Sequence, residues 1–338
     1  VSADVLVRAP IALLPVLLFL AGLVQLDGYK LVRMRMMLAL MATGAVAAGL
    51  SYVLNNIAFA HFPGSFVAYS RYGSPWIEES LKAVLLVFLI RTRRVGLPVD
   101  AGIAGFAIGT GFAVIENLYY LAAHPHTVLA VQVIRGFGTA IMHGGTAAVL
   151  AMISNTLYER RPSGGLHLLL PGLFAAVALH TGYNYLLVRP ALATLATLLV
   201  LPFVIYLVFD HSERILRNWI EVDLESDVKR LEAISSGKFL DSPSGRYLQA
   251  LRDRFRGEQL ADMLCYLRVH GELAVRAKGV LLLRESGLAE PPIDAATRQR
   301  LAELAQLKRA IGTAGVLALR PLTMATGKEI WQLTLLRQ

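Results

Sequence analysis

The sequence predicts an all-α protein: a polytopic transmembrane helical bundle of about seven spans, followed by a C-terminal helical cytoplasmic domain. Three observations point there. Of the 338 residues, 55% are hydrophobic and the mean hydropathy is +0.54, which is more apolar than a soluble domain of this size. Apolar stretches recur as far as Asp210, each close to the roughly 20 residues that a helix needs to cross a bilayer. The charge then shifts abruptly: 13 of the 33 Lys and Arg fall in residues 1–210 and 20 in 211–338, and the 24 acids divide eight to 16. The predicted domains are therefore 1–210 in the membrane and 211–338 outside it.

Hydropathy and turn residues place the spans at 9–26, 36–60, 75–91, 99–122, 130–157, 166–188 and 191–209. The first has no basic cluster before it and no small-residue cleavage motif, so it reads as a retained span rather than a leader. Alternate loops are basic, with Lys30, Arg33, Arg35, Arg91, Arg93, Arg94, Arg160, Arg161, Arg214 and Arg217 on one side. The other side has Arg8, Arg71, Arg135 and Arg189. The positive-inside rule then puts the N-terminus outside and the C-terminal domain in the cytoplasm. Between spans two and three, His61–Pro75 is rich in Gly, Pro, Ser and aromatics and is expected to be irregular. In the soluble part, helical patterns cover 212–234, 244–286 and 295–311, divided at Gly237, Pro243, Pro291 and Pro292.

Composition also narrows the function. The net charge of +9 lies largely in short loops beside spans, where it sets topology, so no nucleic-acid partner is expected. The single cysteine, Cys265, rules out an intrachain disulfide and a cysteine-based zinc site. No internal repeat is visible.

The informative residues are the ionisable ones inside apolar sequence. Each costs roughly 2.5 to 3.5 kcal/mol at a span centre on insertion scales, so it faces a partner or a cavity. Glu78, Glu79 and Lys82 lie in WIEESLKAVLL, Glu116 in GFAVIENLYY, His143 in AIMHGGTAAVL and His180 in AVALHTGYNYLL. At about 1.5 Å rise per residue, Glu78 and Glu79 fall roughly 5 to 8 Å below the outer edge of span three, Glu116 roughly 9 Å below that of span four, and His180 about 12 Å below that of span six. His143 reaches a similar depth, about 12 Å, if Arg135 snorkels to the outer interface as an anchor. Lys82 is four residues from Glu78 and three from Glu79, placed to neutralise either one. His180 and Asn184 share a helix face. Glycines at 109, 111, 136, 138, 144, 145 and 182 permit close helix approach. Read one at a time, the glutamates suit a helix start at the interface, Lys82 an ion-pair partner, and each histidine a hydrogen bond to a neighbouring helix. Together they describe one polar pocket in the outer half of the membrane.

The ordered set EESLK at 78–82, FAVIE at 112–116, His143 and HTGYN at 180–184 resembles the PrsW family of intramembrane proteases. That family is similar to the wider superfamily of CAAX prenyl proteases and bacteriocin-immunity proteins. Glu116 stands where the CAAX-type motif has histidine, which follows the PrsW pattern. The resemblance covers spans three to six and carries nothing over to the domain after Asp210. It implies an intramembrane endopeptidase in a bacterial plasma membrane, and a membrane-anchored protein substrate such as a single-span anti-sigma factor.

Peptide hydrolysis needs an activated water, a polarised carbonyl and a proton for the leaving amine. Glu116, His143 and His180 make a two-histidine, one-carboxylate set suited to Zn2+ with an open position for water. Glu78 or Glu79 then serves as general base and acid, and Asn184 as oxyanion donor or as a partner orienting His180. A metal-free glutamate and histidine mechanism stays open at this point. So do a proton- or ion-coupled transporter or channel built on the same residues, and an inactive protease-like scaffold.

Overall fold

The computed structural model describes residues 3–29, 32–160, 165–186, 189–289, 292–323 and 327–336. Lys30, Arg161 and Pro291, used above for topology and punctuation, lie outside them. Every regular element among the described residues is helical. The chain divides into two compact units, Val1–Glu213 and Arg214–Gln338.

The first unit contains α1 (Ala3–Leu26), α2 (Met34–Ala60), α3 (Phe66–Tyr72), α4 (Ser74–Arg91), α5 (Pro98–Ala123), α6 (Leu129–Ile134), a π-helical turn (Arg135–Thr139), α7 (Ala140–Arg160), α8 (Leu170–Leu186) and the first part of α9 (Pro190–Ser235). Among the described residues, six helices are long and apolar enough to cross a membrane: Arg8–Leu26, Met34–Ala60, Pro98–Ala123, Leu129–Arg160, Leu166–Leu186 and Pro190–Ser235. The expected third span is α4, whose 18 residues include Glu78, Glu79, Lys82 and Arg91. With these four charged residues it is not among the six. Glu79 and Lys82 are both fully enclosed by protein.

Helix α5 is the centre of the unit, packing against α7, α2, α1 and α4. Asp100 sets its start, accepting hydrogen bonds from the N–H groups of Gly96, Leu97 and Ala101 at 2.8, 2.7 and 2.9 Å. Small residues then let the neighbouring backbones touch. A Cβ at Gly109 would overlap the carbonyl oxygen of His143 on α7, and one at Gly111 would overlap that of Met41 on α2. Around these contacts Leu86, Ile90, Phe106, Ile108, Ile141 and Leu150 form a continuous buried core. On the outside, α2 presents Val46, Leu50, Val53 and Ile57, and α9 presents Leu195, Leu199, Val200 and Phe203, an apolar exterior of the kind that faces lipid.

Pro15 interrupts α1 and removes the N–H that would bond the Ile11 carbonyl. The next carbonyl, Ala12, accepts from Asn117 Nδ2 at 2.7 Å. Asn117 therefore ties α5 to α1. The connector His61–Pro75, expected to be irregular, contains α3, because Ser65 caps it by accepting from the Ala68 N–H at 3.2 Å.

The second unit holds the end of α9, α10 (Pro243–Gln249), α11 (Gly257–Glu285), α12 (Ala295–Thr323) and α13 (Gly327–Leu335). The single run expected over 244–286 is broken at 250–256. Gly312, at φ +66°, kinks α12 where the expected helix 295–311 ends, and the helix resumes beyond it. Phe239, Met263, Leu267, Ile311 and Leu319 fill one core, and Val269, Leu273, Ala277, Leu304 and Leu336 another. Lys278 is buried against Asp227, with Nζ to Oδ2 at 2.6 Å.

Candidate functional site

Four helices bring the polar residues together: α4 carries Glu78, Glu79 and Lys82, α5 carries Glu116, α7 carries His143, and α8 carries His180. Glu79 and Lys82 are 0% exposed, His143 1% and His180 3%. Ionised groups at such depth persist only with partners. Here one oxygen collects most of them: Glu79 Oε1 accepts from Lys82 Nζ at 2.8 Å, from Thr146 Oγ1 at 3.1 Å and from His180 Nδ1 at 2.8 Å. Its second oxygen, Oε2, is buried with no hydrogen-bond partner among the described residues.

The network fixes how the histidines present themselves. A carboxylate only accepts, so the proton of His180 sits on Nδ1, and Nε2 keeps a free lone pair. That nitrogen lies 3.8 Å from Glu78 Oε2. The other Glu78 oxygen accepts from Ser74 Oγ, one turn earlier on α4. His143 stands edge-on to His180, with ring centroids 4.9 Å apart at 88°. Lys82 Nζ meets its Nδ1 at 2.9 Å, and Glu116 Oε2 meets its Nε2 at 2.7 Å. Phe112 covers this side, its ring 4.9 Å from that of His143 and 4.5 Å from Lys82 Nζ.

Among the described residues, one group of side chains brings metal-ligating atoms close enough to share an ion: Glu78, His143 and His180, all within 4.8 Å of one another. This differs from the set read off the sequence. Glu116, expected as the carboxylate ligand, is instead held between His143 and Arg135, whose Nη2 lies 3.3 Å from Glu116 Oε1. Glu78, expected as one of two candidate bases, is the carboxylate that lies close to both histidines. Asn184, expected as oxyanion donor, donates from Nδ2 to the Ser70 carbonyl at 3.0 Å and so joins α8 to α3. The Arg135 guanidinium lies 3.5 Å over the Tyr120 ring as well as beside Glu116. Thr146 was absent from the expected set, although it follows His143 by three residues and so shares its helix face.

Chemically, the arrangement offers two imidazoles and a half-buried carboxylate around one point, a buried Glu79–Lys82 pair behind them, and a further carboxylate, Glu116, 27% exposed. No curated protein and no solved structure matches the chain. A family model described as PrsW family intramembrane metalloprotease matches residues 32–209, more than half of the chain and all of the helices that carry the site. With the ordered motifs now seen converging on one pocket inside that region, the chain belongs to the PrsW family of intramembrane metalloproteases.

Proposed function

We propose that Glu78, Glu79, His143 and His180 form the hydrolytic centre of this protease, and that Glu78, His143 and His180 hold its metal, with Zn2+ as the ion. The supporting observation is the convergence of their ligand atoms from α4, α7 and α8 within 4.8 Å. Two imidazoles and a carboxylate are a set that zinc accepts with a position left open. Once bound, the ion would polarise the peptide carbonyl and make water a nucleophile near neutral pH.

The chain's own groups divide the remaining tasks. Glu79 accepts the Nδ1 proton of His180, which orients the ring and leaves Nε2 free. Lys82 balances the charge of Glu79. Glu116 is reachable from outside and takes the proton from the attacking water, then delivers it to the leaving amine. The substrate is a membrane-anchored protein cut near the outer face of the membrane, with a single-span anti-sigma factor as the class. The basic loops put the N-terminus outside and Arg214–Gln338 in the cytoplasm of a bacterial cell, where the second unit is free to engage the substrate's inner portion.

Metal content and cleavage of a single-span reporter, measured on purified variants, test the assignment. Glu78→Gln should lose both. Glu79→Gln should weaken metal binding about 10- to 100-fold. Glu116→Gln should keep the metal while turnover falls about 10²- to 10⁴-fold. Full cleavage by Glu78→Gln would overturn the proposal, and metal loss in Glu116→Gln would return Glu116 to the ligand set.

A further inference from the structure

We propose that Arg135 is a second electrophile of the reaction beside the metal, donating hydrogen bonds to the substrate's carbonyl oxygen as that oxygen becomes an oxyanion. The inference rests on the reading of Glu78, Glu79, His143 and His180 as the hydrolytic centre.

Backbone geometry supplies the first argument. Arg135 and His143 are eight residues apart, which in a regular α-helix leaves them about 80° from a common face. The π-helical turn Arg135–Thr139 absorbs one extra residue, so the pair behaves as if seven apart and falls within about 20° of alignment. Both side chains consequently reach Glu116, Arg135 at Oε1 and His143 at Oε2. A single carboxylate separates the guanidinium from a ring of the proposed centre.

The second argument is unused donor capacity. A guanidinium has five N–H groups, and placing one in a span is costly. Arg135 is mostly buried, with 11% of its side chain exposed. Its Nε is buried without a hydrogen-bond acceptor among the described residues, while Nη2 is paired with Glu116 at 3.3 Å. Tyr120, one turn from Glu116, lies under the cation with its ring face 3.5 Å away.

The third argument is that the other donors are committed. Asn184 gives its amide to Ser70, Lys82 is shared between Glu79 and His143, and Thr146 is bonded to Glu79. In the step itself, the water oxygen attacks the carbonyl carbon, its proton passes to Glu116, and the C=O electron pair moves onto the oxygen that Arg135 would meet. When that pair returns, the C–N bond breaks and the amine leaves with the proton.

The test uses the full-length, metal-loaded protein and a single-span reporter. Arg135→Ala should lower kcat about 10²- to 10³-fold with metal content and KM little changed, Arg135→Lys should recover part of the loss, and added guanidinium ion should restore turnover to Arg135→Ala. A role solely as counterion to Glu116 predicts that Arg135→Ala costs nothing further in a Glu116→Gln background; that result, or wild-type kcat in Arg135→Ala, overturns the proposal. If Arg135→Ala misfolds, the kcat of Arg135→Lys decides, a wild-type value again overturning it. Equal cleavage by wild type and His180→Ala would instead refute the hydrolytic centre itself.

Discussion

At the residue scale the most constrained side chain is Lys82, enclosed between Glu79 and His143 with nothing exposed to solvent. Replacing it with methionine leaves the Glu79 carboxylate buried beside one imidazole and one hydroxyl, and removing one partner of a buried pair costs about 3 to 5 kcal/mol. Lys82→Met should therefore lower the thermal stability of the detergent-solubilised protein sharply. Combining it with Glu79→Gln should recover part of that loss, and additive losses across the double-mutant cycle would refute the coupling. The presence of such a partner was legible in the spacing of EESLK. Which glutamate it served was not, because adjacent helical residues point about 100° apart and only neighbouring helices decide which one faces inward. The same limit holds for Glu78 and Glu116, of which Glu78 comes close to both histidines and Glu116 lies between His143 and Arg135. Helical depth puts both carboxylates at one level, but a depth estimate carries no angle around the bundle.

At the scale of elements, the α5–α7 crossing sets the position of His143. Gly109→Ala would press a methyl group into the His143 carbonyl, and overpacking of this kind costs about 1 to 3 kcal/mol. The expected result is a lower melting temperature together with reduced cleavage, while Gly49→Ala, with open space around its Cβ position, should change neither; thermal unfolding followed by circular dichroism checks both. The glycines that allow this crossing were visible as a pattern. The π-helical turn was not, since an inserted residue in a continuous apolar helix leaves the hydrophobic pattern almost unchanged. In α11, burial pulls His270 down to about 4 from 6.5, with Arg230 and Lys278 adding to the shift and Asp227 opposing it. The unfolded chain then binds the extra proton between these values, so the second unit is most stable above about pH 6.5 and loses stability as the pH falls toward 4. Urea midpoints followed by Trp219 and Trp331 fluorescence in a Trp76→Phe background should show this decline, and His270→Gln should flatten it.

At the scale of the whole molecule, the change in composition after Asp210 lies close to the division between Glu213 and Arg214. The change in composition arises because lipid and water select opposite residues. Helix α4 is the least apolar of the expected spans, and its buried charges, Glu79 and Lys82, are balanced within the site it builds. The central claim, that Glu78, His143 and His180 hold the metal, is tested most directly by X-ray absorption on the zinc-loaded protein. The account predicts two imidazole nitrogens and a carboxylate oxygen at about 2.0 to 2.2 Å, a shell that loses its carboxylate in Glu78→Gln and is unchanged in Glu116→Gln. An unaltered shell in Glu78→Gln, or one that loses its carboxylate in Glu116→Gln, would contradict it.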